Sequence, residues 1–132
     1  MTIDKYIPSG MFGFVTDGSS RLFFHLACFD PGAYEGEAPV PPVIGEEVEV
    51  EVGEGNKAER VSRLETPTLL QGVVDWFDIG KGYGFILSKH GKPYYLHRSE
   101  VREGKLPLPG RRVSFYVGSE NRRACHVTVE SR

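Results

Sequence analysis

The chain repeats itself, and the repeat limits what it can fold into more than any single motif does. Residues 1–15, MTIDKYIPSGMFGFV, lie over residues 72–86, GVVDWFDIGKGYGFI, without a gap. Ile3 meets Val74, Asp4 meets Asp75, Tyr6 meets Phe77, Phe12 meets Tyr83, and Gly13-Phe14-Val15 meets Gly84-Phe85-Ile86. After a turn one residue longer in the second half, Leu22-Phe23-Phe24-His25 meets Tyr94-Tyr95-Leu96-His97. GEEVEVEVGEGN (45–56) then meets GRRVSFYVGSEN (110–121), and Ala58 and Val61 meet Ala124 and Val127. The order is kept throughout.

The repeat predicts two domains, residues 1–65 and 72–132, joined by a short linker over 66–71 that begins Thr66-Pro67-Thr68. In both halves, runs rich in Val, Ile, Phe and Tyr alternate with Gly, Asp, Ser or Pro, and no helical period is sustained. The pattern predicts five strands per half, near 1–7, 11–16, 21–25, 46–53 and 58–64, and near 71–77, 82–88, 93–97, 111–118 and 123–130. Small all-β units hide their edges by rolling up, so the expected fold is two five-stranded antiparallel barrels in tandem. The longest break, ACFDPGAYEGEAPVPPVI in the first half, is acidic and proline-rich and predicts a mobile loop.

Strand alternation decides which way the rings point. On the third strand of the second half, Tyr94 and Leu96 can fill the core, which turns Tyr95 and His97 outward and avoids burying an imidazole. The same parity turns Leu22 and Phe24 inward and Phe23 and His25 outward. On the second strand Ile86 shares a face with Gly82 and Gly84, leaving Tyr83 and Phe85 on the other. Strand aromatics ordinarily pack in cores, but each half already supplies Val, Ile and Leu for a small interior. A contiguous set of exposed rings marks a binding surface, and a flat ring can stack on any base.

GVVDWFDIGKGYGFI followed by YYLHRSEV resembles the cold-shock domain, a five-stranded OB-fold barrel, over residues 70–131. Residues 1–65 resemble a diverged member of the same family. The resemblance implies binding of single-stranded RNA or DNA without ATP, with Trp76, Tyr83, Phe85, Tyr95 and His97 stacking on bases and Lys81 near the backbone. It places Arg98 where many members have another ring, and a guanidinium there can stack or pair with phosphate. Phe12, Phe14, Phe23 and His25 are the matching positions of the first half. Asp75 and Asp78 depart from the family's usual lysine and asparagine, which removes attraction for a polyanion at that end. The implied role is that of a nucleic-acid chaperone or a regulator of transcription or translation in the bacterial cytosol.

The formal charge of −2 hides two opposed halves. Residues 1–68 hold twelve acidic against five basic side chains, a net −7, and the remainder holds eleven basic against six acidic, a net +5. The second half is therefore expected to supply most of the affinity. Two readings of EEVEVEV stand: the solvated outer face of a strand, and an intramolecular contact in which the acidic half docks on the basic one and competes with nucleic acid. A protein-binding module is the alternative function, because a fold alone does not decide what it binds. RNA and DNA remain equal candidates, since no residue can be tied to the 2′-hydroxyl.

Catalysis is not expected. The four histidines, His25, His90, His97 and His126, have no nucleophile or metal spacing, and no phosphate loop opens a helix. Cys28 and Cys125 lie far apart with no Cys-x-x-Cys spacing, which predicts two largely buried thiols, with neither disulfide nor metal site, and no cofactor is implied. No apolar run approaches the roughly 20 residues that cross a bilayer, and the first residues lack a secretion signal. The expected protein is cytoplasmic, with no membrane contact.

Overall fold

The computed structural model describes all residues except 35–37, 103–104, 119–121 and 131–132. The chain divides into two compact units, one built on Met1–Pro67 with the short stretch 118–121 and the other on Thr68–Val117 together with the chain from Arg122 onward.

In the first unit β1 (Thr2–Ile7), β2 (Phe12–Thr16) and β3 (Arg21–His25) form an antiparallel sheet in that order. A second sheet has the order β4 (Phe29–Asp30), β6 (Ala58–Arg63), β5 (Val48–Val52), with β4 parallel to β6. Its core is Ile3, Val15, Leu22, Phe24, Val48, Ala58 and Val61. In the second unit one five-stranded sheet has the order β11 (Cys125–Val129), β10 (Arg112–Val117), β7 (Thr68–Asp78), β8 (Tyr83–Ser88), β9 (Pro93–His97). Val74, Ile86, Leu96, Val113, Phe115 and Val127 fill its core.

The all-β expectation holds, but the pairing differs from two matching five-stranded barrels. β7 is eleven residues long, so its first half pairs with β10 and its second half with β8. β1 has six residues, nearly all engaged by β2, and reaches the segment before β5 through the single bridge Thr2–Glu47 and a few backbone hydrogen bonds, such as Ile3 N–H to the Glu46 carbonyl at 3.0 Å. The short strand β4 falls in the stretch expected to be loop. β7 also begins at Thr68, paired with Val117, so the strand takes up the last four residues of the predicted 66–71 linker.

The acidic, proline-rich loop is anchored where it meets β5. Glu46 is buried and receives Arg63 through both carboxylate oxygens, Nε to Oε2 and Nη2 to Oε1, each at 2.8 Å. Arg63 also donates to the carbonyls of Val40 and Pro41, and the Val43 N–H donates to Glu46 Oε1. Pro42 and Val43 are fully buried. The last residues of the expected mobile loop, 40–44, are thus packed, whereas Gly32, Ala33, Tyr34 and Ala38 are exposed and 35–37 lie outside the described residues. Glu46 departs from the solvated-face reading of EEVEVEV, whereas Glu47, Glu49 and Glu51 are exposed as that reading requires. Cys125 is buried, but Cys28 is only half-buried.

Candidate nucleic-acid interface

The ring cluster of the second unit is assembled by a bulge. Val74 pairs with Ile86 and points into the core, and strict alternation would send Trp76 inward after it. Between them the register shifts, so that Trp76 pairs with Phe85 and both Asp75 and Trp76 are exposed. One extra residue reverses the parity. The bulged backbone lies against Gly84, where a Cβ would run into the carbonyl oxygen of Trp76 and come within 2.7 Å of the Phe77 Cα. Glycine is therefore required between the two rings of Tyr83-Gly84-Phe85. The first unit has the same shift between Ile3 and Lys5, with Gly13 close against the Lys5 carbonyl.

Trp76 is 40% exposed, and its ring lies 5.6 Å from Tyr83 and 5.5 Å from Phe85, centroid to centroid. Tyr95 stacks at 23° on Tyr83, 6.2 Å away, and meets Phe85 edge-on at 6.0 Å. His97 lies 6.4 Å from Tyr95. Tyr83, Phe85, Tyr95 and His97 are half-buried, so the cluster is held by its neighbours while one side stays open. The five residues expected to stack are brought together on one face of β7, β8 and β9.

His97 ends β9 and caps the 3-10 turn Arg98–Glu100: its Nδ1 accepts the Ser99 N–H at 3.1 Å and lies 2.8 Å from the Ser99 hydroxyl. The neutral ring therefore carries its proton on Nε2, a donor for a ligand. His25 does the same in the first unit, accepting the Ala27 N–H at 3.0 Å.

Lys81 is exposed in the turn before β8, and Asp78 builds that turn: its Oδ1 accepts the Lys81 N–H at 3.0 Å and its carbonyl the Gly82 N–H at 2.7 Å. Arg98 does not join the rings. Its Nη2 donates to the Ile79 carbonyl at 2.9 Å, which ties the guanidinium to the 78–82 turn. A cation that the parity argument missed stands near the cluster instead, with the Arg123 guanidinium carbon 5.6 Å from the Tyr95 centroid. The bridge between Tyr95 and Arg123 that brings them together is a long-range contact with no local signal.

In the first unit Phe12, Phe14 and Phe23 are half-buried with centroids 5.5–6.1 Å apart, and His25 is exposed. Lys5 occupies the register position opposite Phe14 that Trp76 holds opposite Phe85.

The family model of the 'Cold-shock' DNA-binding domain matches residues 70–130. The chain is 39% identical over 64 residues to a cold shock-like protein of Thermotoga maritima, a stretch that is 46% of this chain and 97% of that protein. The chain belongs to the cold-shock domain family. A major cold shock protein of Streptococcus pyogenes is 33% identical over 64 residues, 46% of this chain and 96% of that protein. Among solved structures, Drosophila Unr CSD456 aligns at 24% identity with a TM-score of 0.38, covering 98% of this chain and 61% of that one. The cold-shock match covers most of the second unit and contains the whole ring cluster. Cold-shock domains are nucleic-acid-binding and non-enzymatic. Among the described residues no group of His, Cys, Asp or Glu could hold a metal ion, and no helix is long and apolar enough to cross a membrane.

Proposed function

We propose that the second unit binds single-stranded RNA or DNA by stacking bases on Trp76, Tyr83, Phe85, Tyr95 and His97, and that it acts without ATP as a nucleic-acid chaperone or a regulator of transcription or translation. The observation that carries this reading is the open side of the ring cluster on a half of net charge +5. Each stacked base contributes about 1–3 kcal/mol, and stacking is tolerant of sequence. The His97 Nε2 proton and the exposed Lys81 supply donors to bases and phosphates. The test is emission from Trp76, the one tryptophan of the chain, titrated with oligo-dT and oligo-U at low ionic strength. Strong quenching supports stacking, and unchanged emission with both ligands rejects it.

The first unit reads as a diverged second copy, supported by the repeat and by the shared bulge before Lys5 and Trp76. A protein-binding role for this copy is the second reading. It is favoured by the Arg21 guanidinium lying over Phe14 and by the net charge of −7, both of which disfavour a base at that ring. Docking of the acidic copy on the basic one remains part of this reading. It predicts that the full chain binds oligonucleotides more weakly than residues 69–132 alone.

A further inference from the structure

The second unit carries a groove that the ring cluster does not use. It lies beside the β8–β9 turn, lined by Leu69, Leu70 and Tyr94 and by the exposed Lys89, His90 and Lys92, and its volume is about 460 Å³. That is within the ordinary range for a ligand site. The turn is pinned from several sides. Ser88 Oγ accepts the N–H groups of His90 and Lys92 at 3.3 and 3.1 Å, the Ser88 carbonyl accepts the Gly91 N–H at 2.9 Å, and the Lys89 N–H donates to the Gln71 carbonyl at 3.1 Å. Both lysines are exposed, and neither is in an ion pair among the described residues. The turn thus fixes the backbone of two cations that have no carboxylate partner among the described residues.

Exposed apolar side chains stand on the outward face on the groove side of the rings. Leu87 shares the outward parity of Tyr83 and Phe85 and pairs with Val73 and Pro93; Leu87 and Val73 are 39% and 43% exposed, and Leu69 is 53% exposed. From Phe85 to Lys89 the chain advances about 13 Å, at roughly 3.3 Å per residue. The matching β2–β3 turn of the first unit has no lysine: Asp17 sits there, its carboxyl held below the usual range by the N–H groups of Ser20 and Ser19.

We propose that this groove holds the end of a single strand already stacked on the rings, with Lys89 and Lys92 pairing with its phosphates and Leu69, Leu70 and Tyr94 receiving its terminal base or sugar. The proposal rests on the stacking reading above. Leu70 and Tyr94 stand on the core-facing side of the sheet and Leu69 on the outward side with Val73, so a strand leaving the rings enters the groove by turning over the exposed Leu69, and the cationic rim suits its phosphates. Such a site lengthens the footprint and adds affinity only to strands long enough to reach it.

The test uses the full chain and a Lys89→Gln/Lys92→Gln variant with oligo-dT of roughly 4, 6, 8 and 12 nucleotides, spanning the site sizes known for such folds. Short strands should quench Trp76 equally in both proteins. The longer strands should bind the variant roughly tenfold more weakly at low salt, and its slope of log affinity on log salt should be shallower by about 1.4, or 0.7 for each lost phosphate. Leu69→Glu, which places a like charge against phosphate, should reproduce the loss. Equal length dependence and equal slopes, with quenching intact, overturn the groove and leave the stacking reading standing. Absence of quenching at every length removes both. Thymidine monophosphate bound at the lysines without any length effect assigns the groove to a free nucleotide and overturns the proposal.

Discussion

Arg21 lies over Phe14, its guanidinium carbon 4.2 Å from the ring centroid, and its Nε is 2.9 Å from the Asp4 carboxylate. The sequence repeat places Pro93 at the aligned position of the second half, and among the described residues no cation stands over Phe85. A base approaching Phe14 must displace a guanidinium that an acid holds in place. Arg21→Ala is therefore expected to leave oligo-dT affinity of the full chain within about twofold. It should lower stability by about 1 kcal/mol, the scale of an exposed cation–π contact. A tenfold fall in affinity, measured by Trp76 titration, would instead give Arg21 a phosphate contact and make the first unit a second binding surface.

Removing Tyr83 and Phe85 together should weaken oligonucleotide binding by about 2–6 kcal/mol, or 1–3 for each lost stacking partner. The loss should be similar for oligo-dT and oligo-U, because stacking reads ring faces. Fluorescence anisotropy with labelled strands checks this independently of Trp76, whose neighbours the substitutions remove. Weakening confined to one strand chemistry would point to base-edge contacts and against a stacking platform.

How much could be read in the sequence depends on whether a contact is local. Strand parity places Leu22, Phe24, Ile86 and Leu96 in the core and turns Phe23, Tyr83, Phe85, Tyr95 and His97 outward, because alternation is a property of neighbouring residues. Trp76 is different: by alternation from Val74 it belongs inside, and only the family resemblance places it with the other rings. The bulge that turns it out needs the open space at Gly84, a contact between strands. The Glu46–Arg63 pair was equally hidden, since each residue alone reads as a solvated strand charge. In the sequence Arg98 reads as a stacking or phosphate-pairing group and Asp78 as a lost attraction, whereas the structure uses both to shape the turn before β8.

The buried pair has a measurable consequence. Arg63 and Glu46 have side chains 3% and 5% exposed, so removing one partner leaves a charge with neither solvent nor counter-ion. Arg63→Met should cost about 3–5 kcal/mol, the usual scale for breaking such a pair. The acidic, proline-rich loop should loosen with it, because the Val40 and Pro41 carbonyls lose their donors. Hydrogen exchange at the amides of Val43 and Val61 reads both effects, and unchanged protection would reject the anchoring role.

Acid should weaken the first unit through Asp30. Its carboxyl is held below the usual carboxylate range, first by the Gly32 N–H and then by Arg60. A carboxyl depressed in the folded state stabilises fully above its unfolded pKa, and that stabilisation disappears as pH falls through the folded value. Asp30→Asn should therefore lose stability relative to wild type at neutral pH and converge with it in strong acid. Chemical unfolding at both extremes measures the difference, and a constant gap across pH would reject the assignment.

Gly84 connects the fold to the site most directly. A methyl group there meets the Trp76 carbonyl and the Phe77 backbone, neither of which can rotate away as a side chain could. Relief requires β7 to move, and the part that must move is the bulge that turns Trp76 outward. Gly84→Ala should cost about 1–3 kcal/mol as an overpacked contact. It should also shift Trp76 emission and reduce quenching by oligo-dT under conditions where the variant is folded. Gly13→Ala meets the equivalent obstruction from the Lys5 carbonyl and the Phe24 ring in the first unit. It should destabilise by a similar amount while leaving Trp76 emission and its quenching unchanged. If Gly84→Ala folds with wild-type quenching, the bulge does not depend on this glycine and the positioning of Trp76 has another cause.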